Sequence, residues 1–303
     1  MMKILVTGGL GFIGTHLIKS LDRNEFEISI LDNAEKYPDL FKTQKNISII
    51  NADIQDYESI NNLVRGFDTI VHLAAKISVS ESITNPELIH NVNVTGTLNL
   101  LRSCVKNNIK NFIAASSASV YGDSIDQPLT EKSETIPMSP YGASKLAMES
   151  YIKSFAYSFE MNCISLRFFN IYGKGQSSVY GGVIKKFQDK INQNQPLEIF
   201  GDGINSRDFV HIDDIVNSIN LSINHIENKK GTVYNIGSGY STSINEIANM
   251  MLKISQKNLQ IIKNPRMKGD VSHSLPSINL AKNELGYIPK VKLETGLEDL
   301  LSD

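Results

Sequence analysis

The chain opens on a short apolar run, "KILVTGG", ending in glycine. The next stretch, "FIGTHLIKSLD", carries Ile13, Leu17, Ile18 and Leu21 at helical spacing, so a strand feeding a helix is predicted. Isoleucine-rich runs follow in "FEISILDN" and "ISIINADI", then "DTIVHLAA", "NFIAASSASVYG" and "NCISLRFFNIYG", each the length of a buried strand. Between two of these lies "NPELIHNVNVTGTLNLLRSCVKNN", read as one long helix over 86–106 that Pro86 opens and an asparagine-rich end closes. A second long helix is predicted over 140–158. Repeated β-α-β order predicts an α/β fold, a doubly wound parallel sheet with helices on both faces. Ligand sites are then expected at the carboxyl ends of its strands.

After about residue 168 the pattern changes. A Gly/Ser-rich stretch, "YGKGQSSVYGG", precedes a helix "VIKKFQDKINQ", a strand "LEIF" and an expected loop "GDGINSRDF". "IDDIVNSINLSINHI" and "TVYNIG" read as a further helix and strand of the large sheet, with Asp213 and Asp214 capping that helix. The remaining residues mix short helices with loops. The expected division is 1–167 plus 208–236 as a dinucleotide-binding unit and 168–207 plus 237–303 as a smaller C-terminal substrate-binding lobe.

The chemistry starts at "TGGLGFIG". Gly9, Gly11 and Gly14 fit G-x-G-x-x-G, and Gly8 extends the match. Such a turn lets backbone approach a pyrophosphate and aims a helix N-terminus at its charge. A glycine triplet alone is weak, because glycines also close ordinary turns. Here Asp32 ends the second strand, where a carboxylate can accept both hydroxyls of an adenosine ribose and repel a 2′-phosphate. The residues after it, Asn33, Ala34, Glu35 and Lys36, include no arginine, so NAD is expected rather than NADP. Asp53 and Ile54 end the third strand, where they frame an adenine or where Asp53 caps a helix.

Tyr141 and Lys145 stand four residues apart in "SPYGASKLAMES", on one face of a predicted helix. A phenol is a poor base at neutral pH, and an adjacent ammonium stabilises the phenolate. Ser116, Ser117 and Ser119 end a strand at the correct sheet edge to hold a substrate hydroxyl. Y-x-x-x-K recurs by chance, and gains meaning only beside the dinucleotide turn and the serine cluster.

Composition narrows the field. The 303 residues carry 30 Lys plus Arg against 32 Asp plus Glu, a net charge of −2, so no basic face for nucleic acid is expected. The two cysteines, Cys104 and Cys163, sit in apolar runs and read as reduced core residues. No signal peptide or membrane span is read, so a cytoplasmic protein without membrane partners is expected. His72 and His211 read as structural histidines, and no metal site is expected.

Taken in order, "TGGLGFIG", "LDN", "NADI", "HLAA", "SSASVYG", "YGASK", "RFFNIYG", "GDGINSRDFVHIDD" and "YNIGSG" resemble the extended short-chain dehydrogenase/reductase family over essentially the full length. Within it the chain is most similar to the nucleotide-sugar 4-epimerases. The resemblance implies a Rossmann-type fold, NAD as cofactor and a homodimer that pairs the two long helices. It implies Tyr141 as base, Lys145 as its activator and Ser117 as the residue orienting the hydroxyl. The cofactor set carried on these motifs is Gly8, Gly11, Phe12, Ile13, Gly14, Asp32, Asn33, Asp53, Ile54, Leu73, Ala74, Ala75, Asn93 and Lys145. The implied reaction removes hydride from sugar C4 to tightly bound NAD and returns it to the other face of a 4-keto sugar.

Dehydratases of the family carry an acidic pair directly after the Ser/Thr, where this chain has Ala118 and Ser119. The glutamate usual in its decarboxylases is also absent from this stretch. An epimerase of a UDP-hexose is therefore expected, with a reductase of a nucleotide 4-keto-6-deoxy sugar as the alternative. A non-catalytic NAD-binding regulator is disfavoured, since both Tyr141 and Lys145 are intact. The resemblance further assigns Asn170 and Arg207 to the diphosphate, Val183 and Phe200 to the nucleoside, and Ser119 to the sugar side. An arginine suits Arg207's role because its fork spans two phosphoryl oxygens; the alternative is a salt bridge to Asp202 or Asp208. One departure stands out: Met267 occupies the position of a second diphosphate arginine, leaving Arg266 or Lys268 to serve. Ser274 falls at the gate for the sugar's 2-substituent, where a small residue leaves room for an N-acetyl group or is simply a small loop residue.

Overall fold

The structure, a computed structural model, describes residues 1–21, 25–34, 47–179, 181–266 and 271–302. The amino-terminal runs form β1 (Met2–Thr7), α1 (Phe12–Ser20), β2 (Phe26–Asp32), β3 (Ile47–Asn51), α2 (Tyr57–Leu63) and β4 (Thr69–His72). There follow α3 (Val79–Thr84), α4 (Pro86–His90), α5 (Gly96–Lys106), β5 (Asn111–Ser117), α6 (Pro140–Ser158) and β6 (Asn162–Phe168). The later part comprises β7 (Asn170–Tyr172), α7 (Val183–Asn192), β8 (Leu197–Phe200), β9 (Ser206–His211), α8 (Ile212–Asn224) and β10 (Lys230–Ile236). β11 (Ser241–Ser243), α9 (Ile244–Ser255), β12 (Ile261–Asn264), β13 (His273–Ser274), α10 (Asn279–Leu285) and α11 (Leu293–Leu301) complete it.

Seven parallel strands form one sheet in the order β10-β6-β5-β4-β1-β2-β3. Its strands are apolar on both faces because helices cover both. Ile4, Val6, Ile28 and Ile30 pack under α1 and α8, while Leu5, Leu31, Ile70 and Phe112 pack under α5 and α6. The doubly wound sheet expected from the sequence is thus present. The strand order reverses between β1 and β4, the place where such sheets open a crevice at their carboxyl edge.

Three elements differ from expectation. The helix over 86–106 is interrupted by a π-turn at Asn91–Thr95. The sixth strand breaks at Phe169: β6 stays in the large sheet, while β7 pairs with β9 in a small one. The segment expected as a loop forms β9 over Ser206–His211, flanked by β11, β13 and β7. Asp213 and Asp214 also do not cap α8. His211 does, its Nδ1 accepting from the Asp213 N–H at 3.2 Å, while Asp214 accepts from the Lys290 and Val291 N–H groups at 2.8 and 3.1 Å. Likewise α2 is capped by Asp56, not Asp53, whose carboxylate takes the Gln55 N–H at 2.9 Å. Among the described residues no helix is long and apolar enough to cross a membrane. Cys104 and Cys163 are buried and unpaired.

Candidate active site

The turn after β1 is built by close approach. Gly8 holds φ at +69°, and a Cβ on it would lie 2.6 Å from the Ala74 N. A Cβ on Gly14 would lie 2.5 Å from the Gly9 Cα and 2.6 Å from the Gly8 carbonyl oxygen. Backbone atoms cannot yield, so only glycine allows α1 to begin against the turn. Gly11 is the helix N-cap and offers no side-chain cap, leaving the first N–H groups of α1 for another acceptor.

Above this turn lies a cavity of about 580 Å³ lined by Gly8, Gly11, Phe12, Asp32, Asn33, Asp53 and others. Ile54, Leu73, Ala74 and Ala75 line it too. The Asp32 carboxylate is fixed across the turn, accepting from the Leu10 N–H at 3.0 Å and the Ala34 N–H at 3.1 Å. A glycine floor that admits no Cβ, an uncapped helix start and an anchored carboxylate fit a dinucleotide. Four expected members stand elsewhere, Lys145 on α6 among them. Ile13 packs against the core, and Gly14 is buried beneath the turn. Asn93 is 1% exposed and clamps other backbone: its Oδ1 accepts from the Lys76 N–H at 2.8 Å, and its Nδ2 donates to the Lys76 carbonyl and Ser144 Oγ at 2.9 and 3.0 Å. The far wall, Gly175, Gln176 and Ser177, has no sequence signal beyond a glycine-rich loop.

Two further cavities continue the trough. One of about 630 Å³ is lined by Ser117, Ser119, Ser274 and an apolar wall of Ile77, Val79 and Ile83. The other, about 260 Å³, includes Val183, Phe200 and Tyr172. Asn170, Gly182, Lys186 and Arg207 line both. Arg207 donates to the carbonyls of Ser206 at 2.8 Å and Ser272 at 3.3 Å, and to that of Val271. Asp208, one of its expected alternatives, accepts instead from Ser238 and from the N–H groups of Gly239 and Tyr240. Arg266 lines none of these cavities and donates to Ser272 Oγ at 2.9 Å. Met267 and Lys268 lie outside the described residues.

On the wall of the middle cavity stands the end of β5. Ser117 Oγ donates to Ser119 Oγ at 3.0 Å and accepts from the Ser119 N–H at 3.2 Å. Ser139 caps α6 by accepting from the Gly142 N–H, Pro140 takes the first turn, and Tyr141 follows it. Burial pushes the Tyr141 phenol above its ordinary pKa, and its hydrogen bond with Ser117 partly opposes that. The Lys145 ammonium is itself buried and donates to the Ala115 carbonyl at 2.8 Å. Burial brings Lys145 down to about 8, opposed by the charge of Glu149. His72 lies between Thr7 Oγ1 at 2.7 Å and Thr97 Oγ1 at 2.9 Å, held neutral by burial and by Lys145, with its pKa at about 3. Among the described residues no group of three or more His, Cys, Asp or Glu side chains gathers to hold a metal.

Sequence reading also missed a buried polar network behind α6. Glu149 accepts from Arg167 Nε at 2.9 Å and Nη2 at 2.7 Å, and from Ser116 Oγ. Arg167 Nη1 donates to the Tyr121 hydroxyl at 2.7 Å, which donates to Asn235 Oδ1 at 2.6 Å. The only available signal was an acidic and a basic residue, each inside an apolar pattern.

Comparison with known proteins agrees with this geometry. The model of the NAD dependent epimerase/dehydratase family matches residues 4–237. A protein of Methanocaldococcus jannaschii, provisionally named a UDP-glucose 4-epimerase, is 35% identical over 309 residues, covering 99% of this chain and 97% of its own. The structure of UDP-glucose 4-epimerase from Thermotoga maritima with UDP-glucose superimposes with a TM-score of 0.93 at 32% identity, covering 99% of this chain and 97% of that one. UDP-N-acetylglucosamine 4-epimerase from Methanobrevibacter ruminantium, in complex with UDP-N-acetylmuramic acid, gives 0.92 at 32% identity, covering 99% and 97%. With its glycine turn, anchored Asp32 and Tyr141–Lys145 helix, this chain belongs to the NAD dependent epimerase/dehydratase family.

Proposed function

We propose that the protein is an NAD-dependent 4-epimerase of a UDP-hexose, with Ser117, Tyr141 and Lys145 as its catalytic residues. The observation that carries this reading is the run of three adjoining cavities: one floored by the glycine turn, a middle one lined by Ser117 that shares Ile77 with it, and a third that shares Arg207 with the middle one. Activity and cofactor are supported by full-length likeness to 4-epimerases; the residue roles are inferred from the geometry.

Gly8, Gly11, Phe12 and the start of α1 would hold the pyrophosphate, and Asp32 the adenosine ribose. Bound NAD would supply the hydride acceptor for C4 and a positive charge near the phenol. Arg207 and Asn170 hold the diphosphate at the junction of the two substrate cavities, and Phe200 and Val183 hold the nucleoside. Ser117 receives the sugar 4-hydroxyl and orients it toward Tyr141, which takes the proton. Because burial raises the phenol, that transfer depends on positive charge nearby, and Lys145 supplies the chain's share. The same phenol returns the proton once the sugar has turned its other face. Ser274, buried at 8% exposure in the middle cavity, leaves room for an N-acetyl group. The lobe division, 1–167 plus 208–236 and 168–207 plus 237–303, is the corresponding division of labour. The homodimer would pair the helical 86–106 segment and α6 across a two-fold axis.

A ketoreductase must release its cofactor every turnover, whereas an epimerase returns the hydride and keeps it. Proton NMR of the purified protein with UDP-N-acetylglucosamine and, separately, UDP-glucose, without added cofactor, tests the reading. Appearance of the galacto isomer supports it, and the faster sugar reads the gate at Ser274. Neither sugar changing, even with NAD added, sinks it.

A further inference from the structure

Behind the face of α6 that carries Tyr141 and Lys145, the chain buries a second set of charges. Glu149 follows Lys145 by one helical turn, and both are almost fully covered. They dock on consecutive residues of β5: Lys145 on the Ala115 carbonyl, Glu149 on the Ser116 hydroxyl, directly before Ser117. Arg167 on β6 grips Glu149 through both carboxylate oxygens and continues to Tyr121 and Asn235.

Stability alone does not account for such a pair. Replacing a buried Arg–carboxylate pair by apolar side chains is often neutral or stabilising, since desolvation consumes the Coulomb gain. Its placement against the reacting helix suggests a different role. Lys145 feels the charge of Glu149 one turn on in its own helix, neutral His72 on β4 feels that of Lys145, Tyr141 precedes Lys145 by one turn, and Arg167 on β6 reaches it only through Glu149. Tyr121 is kept neutral by burial, and Glu131 lies beyond Arg167, accepting from the Asn235 N–H at 2.8 Å. Glu149 is the fully buried carboxylate among them. Its charge acts on the Lys145 ammonium, and Arg167 fixes it in place through both carboxylate oxygens.

We propose that Glu149, locked by Arg167 and Ser116, is a positioning residue for the reaction: it supplies the counter-charge of the Lys145 ammonium and seats α6 on the end of β5 so that Tyr141 meets Ser117. This rests on the reading of Tyr141 as the base.

The experiment is a phenolate titration that needs no turnover. Near-ultraviolet absorbance of each protein, with its resident cofactor, is followed against pH, and that of its Tyr141→Phe counterpart is subtracted. In Glu149→Gln, which keeps shape and removes a nearby negative charge, ionisation of Tyr141 moves down by roughly one pH unit. The alkaline fall of kcat, where Lys145 loses its proton, moves to lower pH, with kcat on that limb about tenfold lower and KM within about twofold. Glu149→Asp restores most of the alkaline limb. A lower Tm with an unmoved Tyr141 titration and pH profile means a merely structural pair and overturns the proposal. Because Glu149→Gln strands a buried guanidinium, the double variant Glu149→Gln/Arg167→Met removes both charges and keeps the test open should the single variant not fold. There the two lost charges offset at Tyr141, while the alkaline limb set by Lys145 is still expected at lower pH because Glu149 is the charge acting on it; a wild-type limb in it overturns the proposal. If the wild-type enzyme turns over neither UDP-sugar, the substrate reading fails while the titration still reports on Glu149.

Discussion

Lys145 carries a cost that its neighbours only partly repay. Its pKa falls from 10.5 to about 8 on folding because burial opposes the charged form. Between those values the unfolded chain holds a proton that the folded chain does not, so this group makes stability rise with pH across that window. Below the folded pKa the protein keeps a buried ammonium, at a cost on the order of 3 kcal/mol. Lys145→Met should therefore raise Tm near neutral pH and lose that advantage toward the unfolded pKa, while kcat collapses. Thermal melts at the two ends of the window check it; a variant equally stabilised at both would contradict the linkage. Tyr141→Phe should lower kcat by roughly 10³-fold with little change in UDP affinity, read by steady-state kinetics and calorimetry. Both residues were legible in the sequence because their relation is local: four positions along a helix place them on one face. Glu149 and Arg167 were not. They are joined by two bonds across the α6–β6 packing, and only sheet order brings them together.

At the scale of elements, the turn between β1 and α1 is the most constrained piece of backbone in the site. Gly14→Ala would drive a Cβ into the Gly9 Cα and the Gly8 carbonyl. A loss of about 2–4 kcal/mol and of NAD retention is expected. Co-purified NAD after gel filtration measures the second effect; normal retention would show that the turn can open without harm. The strand–turn–helix order here was readable because hydrophobic period and glycine spacing agree. The π-turn at Asn91–Thr95 was not, since one extra residue leaves the apolar spacing of a helix almost unchanged. It brings Asn93 inward onto Lys76 and Ser144, so this residue steadies α6 rather than lining the dinucleotide cavity. The strand β9 escaped for another reason: "NSRDF" is polar, and its partners β7, β11 and β13 lie far off in sequence.

For the molecule as a whole, the exposed face of α6 presents Tyr151 and Tyr157, with Phe159 just beyond its end, at 40%, 66% and 43% exposure. Aromatic surface of this extent on the helix proposed for the two-fold contact predicts a dimer in solution. Sedimentation at micromolar concentration should give twice the chain mass, and Tyr151→Arg/Tyr157→Arg should give the monomer. A wild-type monomer would remove the proposed pairing.

The chain also leaves the large sheet after Phe168, rejoins it at Ile212, leaves after Ile236, returns with α10 and departs again into α11. A lobe attached by one linker can swing as a door does; one stitched through several seams moves only as far as its seams stretch. If the proposed lobes hold, substrate would enter at the trough's rim, and a 4-keto sugar halfway through its turn would stay inside a box whose walls are sewn together.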